Sequence, residues 1–289
     1  MRMLAVAALL LTALPAGAET LEERLAPLVR AHKGQVSIGV KHLGTGETHL
    51  HRGDEPMPTA SLIKFPVMVE AYRQAGEGKQ DLKKLVTLRE TDKVPGSGIL
   101  QQLSDGASFP VRDAIRLMIA LSDNTATNLV LDQIGIDSTA ATMERLGYPH
   151  TKIHSKVFRR DTSLFKERSE RFGLGSTTSR EMVGLLETLH AKKLVSAEAS
   201  EAMLGHLRAC QDHARFTALL PSGTRAAMKT GAVDDARTAA GILFTPSGPI
   251  ALCVLTAENE DQRWTADNAG DRLCQEVARA VYRHFHPEP

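Results

Sequence analysis

Pro58-Thr59-Ala60-Ser61-Leu62-Ile63-Lys64 is the stretch at which the chain changes character. Ahead of it the apolar residues alternate as in strands, and after it they recur at helical spacing. A serine that opens a helix sits where the dipole favours developing negative charge. A lysine three residues on shares its face, so the Lys64 amine can reach the Ser61 hydroxyl. The pair alone is weak evidence, since Ser and Lys three apart turn up about once in a chain this long, as a cap and an exposed amine.

Working outward, Leu21, Leu25, Leu28 and Val29 recur at helical spacing, and residues 35–42 and 48–52 form two strand-like runs around Gly44-Thr45-Gly46. Beyond Ser61 the pattern is helical to about Phe216, with runs at 111–121, 125–134, 139–146 and 180–190. The tail returns to strands at 224–229, 238–244 and 250–256, broken at Pro246-Ser247-Gly248, and closes with a long helix at 266–285. Strands at both ends and helices between them predict an α/β (α+β) fold in two parts. An antiparallel sheet flanked by N- and C-terminal helices would come from residues 19–60 and 217–289. Residues 61–216 would be an inserted all-helical subdomain, with the functional site between the two.

Residues 1–18 read as an export leader: a positive start at Arg2, an apolar run at 4–14 and the small residues Ala16-Gly17-Ala18. The run is too short for a permanent span. The expected product is therefore exported, periplasmic or secreted, monomeric and without a stable membrane span. Losing Arg2 with the leader leaves basic and acidic residues in balance, which gives no electrostatic footprint for nucleic acid. A chain of this length buries a core without disulfides, and Cys210, Cys253 and Cys274 read as small buried residues without zinc spacing. His49 with His51, and His284 with His286, lack a third ligand at telling spacing, so no metal and no other cofactor is expected.

The Ser61–Lys64 pair is not alone: Ser122-Asp123-Asn124 and Lys229-Thr230-Gly231 follow in order. Each triplet is expected by chance in about one chain in twenty, and the two together at a frequency on the order of 10⁻³. With these motifs in this order the sequence resembles class A β-lactamases and the penicillin-binding D,D-peptidases related to them, from the opening helix to the last. Asn124-Thr125-Ala126-Thr127-Asn128-Leu129 resembles the family as well.

The resemblance implies that Ser61 is an acylated nucleophile and that its backbone N–H, with that of Ala232, forms an oxyanion hole. It makes Lys64 a base or proton relay, with a pKa lowered by burial and by Lys229. Ser122 would pass a proton to the leaving nitrogen, and Asn124 would hydrogen-bond the Lys64 amine. Asn124, Thr230, Gly231 and Ala232 would contact the substrate, a small β-lactam or a cell-wall peptide, with Thr230 and Arg237 binding its carboxylate. The plainer alternative is that Ser122 and Asn124 cap a helix and that Lys229-Thr230-Gly231 ends a strand.

One part of the family pattern is missing. Class A β-lactamases activate the deacylating water with a glutamate in a loop that should lie here within 152–178. Counting back from Ser176-Thr177-Thr178 puts Thr162 at that position, and counting forward from Leu146-Gly147 puts Val157 there. Neither is a carboxylate, though Asp161, Glu167 and Glu170 lie in the loop, where the alternating charges of 166–171 read first as a solvated stretch. Gly175 stands where the family has an acidic partner for a loop arginine, so the loop should be held differently. The expectation is a serine-active β-lactam hydrolase with slow deacylation. A D,D-peptidase acting on D-Ala-D-Ala ends comes second, and an acylated sensor third.

Overall fold

The computed structural model describes residues 19–286; the leader read at 1–18 lies outside them. In chain order the elements are α1 (Leu21–Ala31), β1 (Gln35–His42), β2 (Thr48–His51), β3 (Met57–Pro58), a 3-10 turn (Ala60–Ile63) running into α2 (Lys64–Gly76), and β4 (Leu85–Thr87). There follow β5 (Ser108–Pro110), α3 (Val111–Ala120), α4 (Asn124–Ile134), α5 (Ile136–Arg145), β6 (Lys152–Ile153), α6 (Lys166–Phe172), β7 (Gly175–Thr177), α7 (Ser179–His190) and α8 (Ala197–Arg208). The chain ends in β8 (Arg225–Val233), β9 (Ala236–Thr245), β10 (Gly248–Ala257) and α9 (Ala269–Phe285).

The main sheet is antiparallel in the order β2-β1-β10-β9-β8, so its first strands come from the N-terminal part and its last three from the C-terminal part. Both faces are covered, which is why β10 reads as one apolar run rather than an alternation. Ile250, Leu252 and Val254 pack with residues of α1 and α9, among them Leu25, Leu273 and Val277. Ala251, Cys253 and Leu255 belong to the core shared with the helices of the middle region. The start of α7 lies directly on the sheet: Ser37 Oγ donates to Ser179 Oγ at 2.8 Å, and a Cβ on Gly39 would stand 2.8 Å from the Ser179 carbonyl oxygen. The fold is thus mixed α/β, an antiparallel sheet between terminal helices and a helical insertion.

The insertion also contains short strands that the helical pattern did not announce. β4 pairs with β5, and β7 pairs with both β6 and β3, tying the segment ahead of Ser61 to the end of the 152–178 loop. Two or three residues are too few for a period. The last helix starts at Ala269 rather than near 266 because the Asn268 side chain caps it, accepting from Gly270 and Asp271 N–H. Cys210, Cys253 and Cys274 are buried and unpaired. Among the described residues no helix is long and apolar enough to cross a membrane, and no group of three or more His, Cys, Asp or Glu is placed to hold a metal ion.

Candidate active site

Ser61 occupies the 3-10 turn that leads into α2 and is partly exposed. The turn is fastened from two sides. Thr59 N–H donates to the Gly175 carbonyl at 3.0 Å, and Thr238 Oγ1 on β9 donates to the Thr59 carbonyl at 2.8 Å. β8 then lies against it at Gly231, where a Cβ would stand 2.5 Å from the Thr59 carbonyl oxygen and 2.7 Å from Ser61 N. Only glycine allows that approach, and it brings the next residue, Ala232, to the Ser61 turn. Ala60 and Ser122 are non-glycine residues in the left-handed region, with φ of 45° and 54°. Such residues cost about 1–3 kcal/mol each and persist where the surroundings over-determine them; here they flank the same site.

The Ser122-Asp123-Asn124 loop is shaped by its middle residue. Asp123 caps α4 through Oδ1, which accepts from Ala126 N–H at 2.8 Å. Its Oδ2 accepts from Ile99 and Leu100 N–H at 2.7 and 2.9 Å. Neither Ser122 nor Asn124 is the cap, so both side chains are released toward the site.

Lys64 is fully buried. Its Nζ donates to the Ser122 carbonyl and to Asn124 Oδ1, both at 2.7 Å, and more weakly to Ser122 Oγ at 3.3 Å. Burial and the neighbouring Lys229 ammonium hold its pKa well below the usual lysine range, against the opposing pull of Asp123. Lys229 Nζ donates to Ser122 Oγ at 3.1 Å and to the Thr230 carbonyl at 2.6 Å. Burial pushes its pKa down to about 8, partly offset by Cys210 and Asp212. Ser122 Oγ thus accepts from Lys229 and lies within reach of Lys64, whose two short hydrogen bonds take up both N–H groups of the neutral amine. No hydrogen bond joins Lys64 to the Ser61 hydroxyl in this arrangement.

Arg237 does not reach the site. It is fully buried, and its guanidinium donates to the carbonyls of Val233, Ala236 and Arg263. It also faces Asp271 at 3.4 Å and stacks on Trp264 with 4.7 Å to the ring centre. Fully buried, with Nη1 and Nη2 on backbone carbonyls and Nε turned to Asp271, the guanidinium is engaged inside the fold and not offered to a substrate carboxylate, which corrects the expectation from sequence. The guanidinium beside Thr230 is that of Arg215: Thr230 Oγ1 donates to Asp212 Oδ2 at 2.7 Å, and Arg215 Nη1 donates to the same oxygen. Asp212 and Arg215 lie between α8 and β8, where no motif or period marked them.

The 152–178 loop is pinned from α4. Asn128, one helical turn beyond Asn124, accepts from Val157 N–H at 2.8 Å and donates to the Val157 carbonyl at 3.0 Å. Of the two counted positions, this fixes Val157 beside the site. Thr162 is occupied within the loop, its hydroxyl donating to the Arg159 carbonyl and accepting from Lys156 N–H. Asp161 pairs with Arg159 in solvent, and Glu167 and Glu170 are exposed.

Gly175 has no space for a side chain, because a Cβ there would meet Ile63 at 2.7 Å and Thr59 Oγ1 at 2.8 Å. In place of a carboxylate, Arg168 donates to Ser176 Oγ at 2.8 Å and to the His150 carbonyl at 3.1 Å. His154 bridges Ser176 Oγ and the Gly173 carbonyl, and burial pushes its pKa down to about 4, so it is neutral at pH 7.

Comparison with known proteins agrees with this fold. The family model described as beta-lactamase enzyme family matches residues 20–285. The curated beta-lactamase of Streptomyces fradiae is 27% identical over 286 residues, covering 93% of this chain and 87% of its own. The crystal structure of beta-lactamase from Sphaerobacter thermophilus superposes with a TM-score of 0.81 at 28% identity, covering 93% of this chain and 98% of that one. The fold is shared as well, at a TM-score of 0.81 and 23% identity over 93% and 96% of the two chains, by a mutant of PBP-A in an acyl-enzyme complex with penicillin G. A match running from the first helix to the last, on a sheet that brings three distant motifs to one turn, leaves a single assignment: the chain belongs to the beta-lactamase enzyme family.

Proposed function

We propose that this hydrolase of the beta-lactamase family works as a serine enzyme, acylated at Ser61 by β-lactams and slow to release the acyl group. The observation that carries the reading is the convergence of Lys64 and Lys229 on Ser122 Oγ, at 3.3 and 3.1 Å, beside the Ser61 turn. Ser61 Oγ attacks the lactam carbonyl and its proton passes to Lys64, which burial favours as the neutral amine. The carbonyl oxygen is received by the backbone N–H groups of Ser61 and Ala232. The C–N bond breaks and the nitrogen takes its proton from Ser122, resupplied from the lysines that flank it. Asn124 orients Lys64, Gly231 lets β8 close on the turn, and Thr230 with Arg215 receives the substrate carboxylate. Export with loss of residues 1–18 and a monomeric state belong to the same proposal.

Lys64→Met is expected to slow acylation by about 10² to 10⁴ while leaving initial binding nearly unchanged, since the amine acts on the proton. Stopped-flow separation of the binding and acylation steps measures this, and an acylation rate within about threefold of wild type would reduce Lys64 to a structural neighbour.

A second reading, a D,D-peptidase acting on D-Ala-D-Ala peptides, is favoured by Val157, an apolar residue held where a water-activating carboxylate would be needed. Intact-protein mass spectrometry followed over time separates the two. A long-lived adduct with a cephalosporin and no turnover of a D-Ala-D-Ala peptide supports the first reading. Turnover of the peptide supports the second, and absence of any adduct overturns both.

A further inference from the structure

Thr230, the hydroxyl assigned to a substrate carboxylate, already carries one. Asp212 Oδ2 accepts from Thr230 Oγ1 at 2.7 Å and from Arg215 Nη1, so a hydroxyl and a guanidinium converge on one carboxylate oxygen, as they would on a ligand's. The charges behind it are balanced without a ligand. Arg215 also donates through Nε to Asp271 Oδ1, and Asp271 in turn faces Arg237, which makes two carboxylates against two guanidiniums. An incoming carboxylate therefore meets the Asp212 anion where it would meet Thr230 and Arg215, and the positive charge left outside these pairs is the buried Lys229 ammonium behind Thr230; like charges at contact disfavour each other strongly.

Asp212 is about one-third exposed and stands at the edge of a cleft of about 400 Å³ lined also by Arg215, Trp264, Asp271 and Gln275. The cleft is the open space beside its side chain.

We propose that Asp212 is a built-in occupant of the carboxylate position, one that a substrate's own carboxylate must displace from Thr230 and Arg215. It sets the site against anionic ligands relative to neutral ones of the same shape. The inference rests on the assignment of Thr230 made above, and a tethered group of this kind competes at an effective concentration on the order of millimolar or more.

The test separates this from acylation by working in the Ser61→Ala background. Dissociation constants for benzylpenicillin and for its methyl ester are measured by calorimetry in Ser61→Ala, Ser61→Ala/Asp212→Asn and Ser61→Ala/Asp212→Ala. Circular dichroism establishes that each variant is folded. Removing the aspartate charge is expected to tighten benzylpenicillin about tenfold or more, and the ester by less than about threefold. Adduct formation by the protein that retains Ser61 reports separately on the acylation reading. An affinity for benzylpenicillin that is unchanged or weaker in both aspartate variants, or an equal gain for the ester, overturns the proposal and leaves Asp212 as a clamp that merely positions Thr230.

Discussion

Ser61→Ala is expected to abolish covalent labelling by a fluorescent penicillin while leaving the melting temperature close to that of wild type. On the proposed mechanism the Ser61 hydroxyl forms the acyl bond, and its loss removes the nucleophile outright. The fold has little to lose. The Ser61 side chain is partly exposed, and the turn is held by backbone contacts to Gly175, Thr238 and Gly231 that do not involve the hydroxyl. The stability change should therefore stay within about 0.5 kcal/mol, as for most surface substitutions. In-gel fluorescence and thermal unfolding read the two halves, and undiminished labelling would move the nucleophile elsewhere.

A burst of product equal to the enzyme present, followed by a slow steady phase, is the expected time course with a chromogenic cephalosporin. The ester on Ser61 must be attacked by water, and no loop carboxylate stands where Asn128 anchors the chain, because the residue there is Val157. Base assistance is worth about 10² to 10⁴ in rate, or roughly 3 to 5 kcal/mol of barrier, so its absence turns rapid turnover into minutes or longer. Val157→Glu should shorten the adduct's lifetime by about tenfold or more, because both polar groups of its backbone are held one turn from Asn124. Thr162→Glu is the control, since that residue's hydroxyl is engaged within the loop. Fast multiple turnover by the wild type would defeat the reading. Single replacement of Asp161, Glu167 and Glu170 by Ala would then find the base as the one whose loss makes the adduct accumulate.

The parts of the molecule that were legible in sequence are those where one residue type answers one physical demand over several positions. β8, β9 and β10 announced themselves through apolar runs bounded by turns, and their order follows from the return of strands after the helices. Ser61, Lys64, Ser122 and Lys229 could be picked out because the motifs are local, and the fold joins Lys64, Ser122, Asn124 and Lys229 by hydrogen bonds beside the Ser61 turn. Arg237 could not be read, because burial of an arginine depends on carbonyls supplied by Val233 and Arg263, which no spacing reveals. Asp212 and Arg215 were silent for the complementary reason: they lie in an irregular segment and acquire meaning only beside Thr230. Asn128 was available in principle, standing four residues after Asn124 on the same helix face, but its partner is the backbone of a loop whose path a sequence does not give.

The pairing of β1 with β10 also dictates an order of assembly. The opening strand, with Ile38 and Val40, finds its partner only in the stretch that ends at Ala257, after the whole helical middle has been threaded between them. Helices such as α3 and α4 can form early from local contacts, whereas joining the two ends means closing a very long loop first. Until β10 arrives, β1 can be joined only to the short β2 and shows an apolar edge to any other extended chain. A chain truncated ahead of β10 should therefore collapse into helix-rich, aggregation-prone species, and a chaperone that shields the first hairpin should raise the yield of folded protein more than one that acts on the middle.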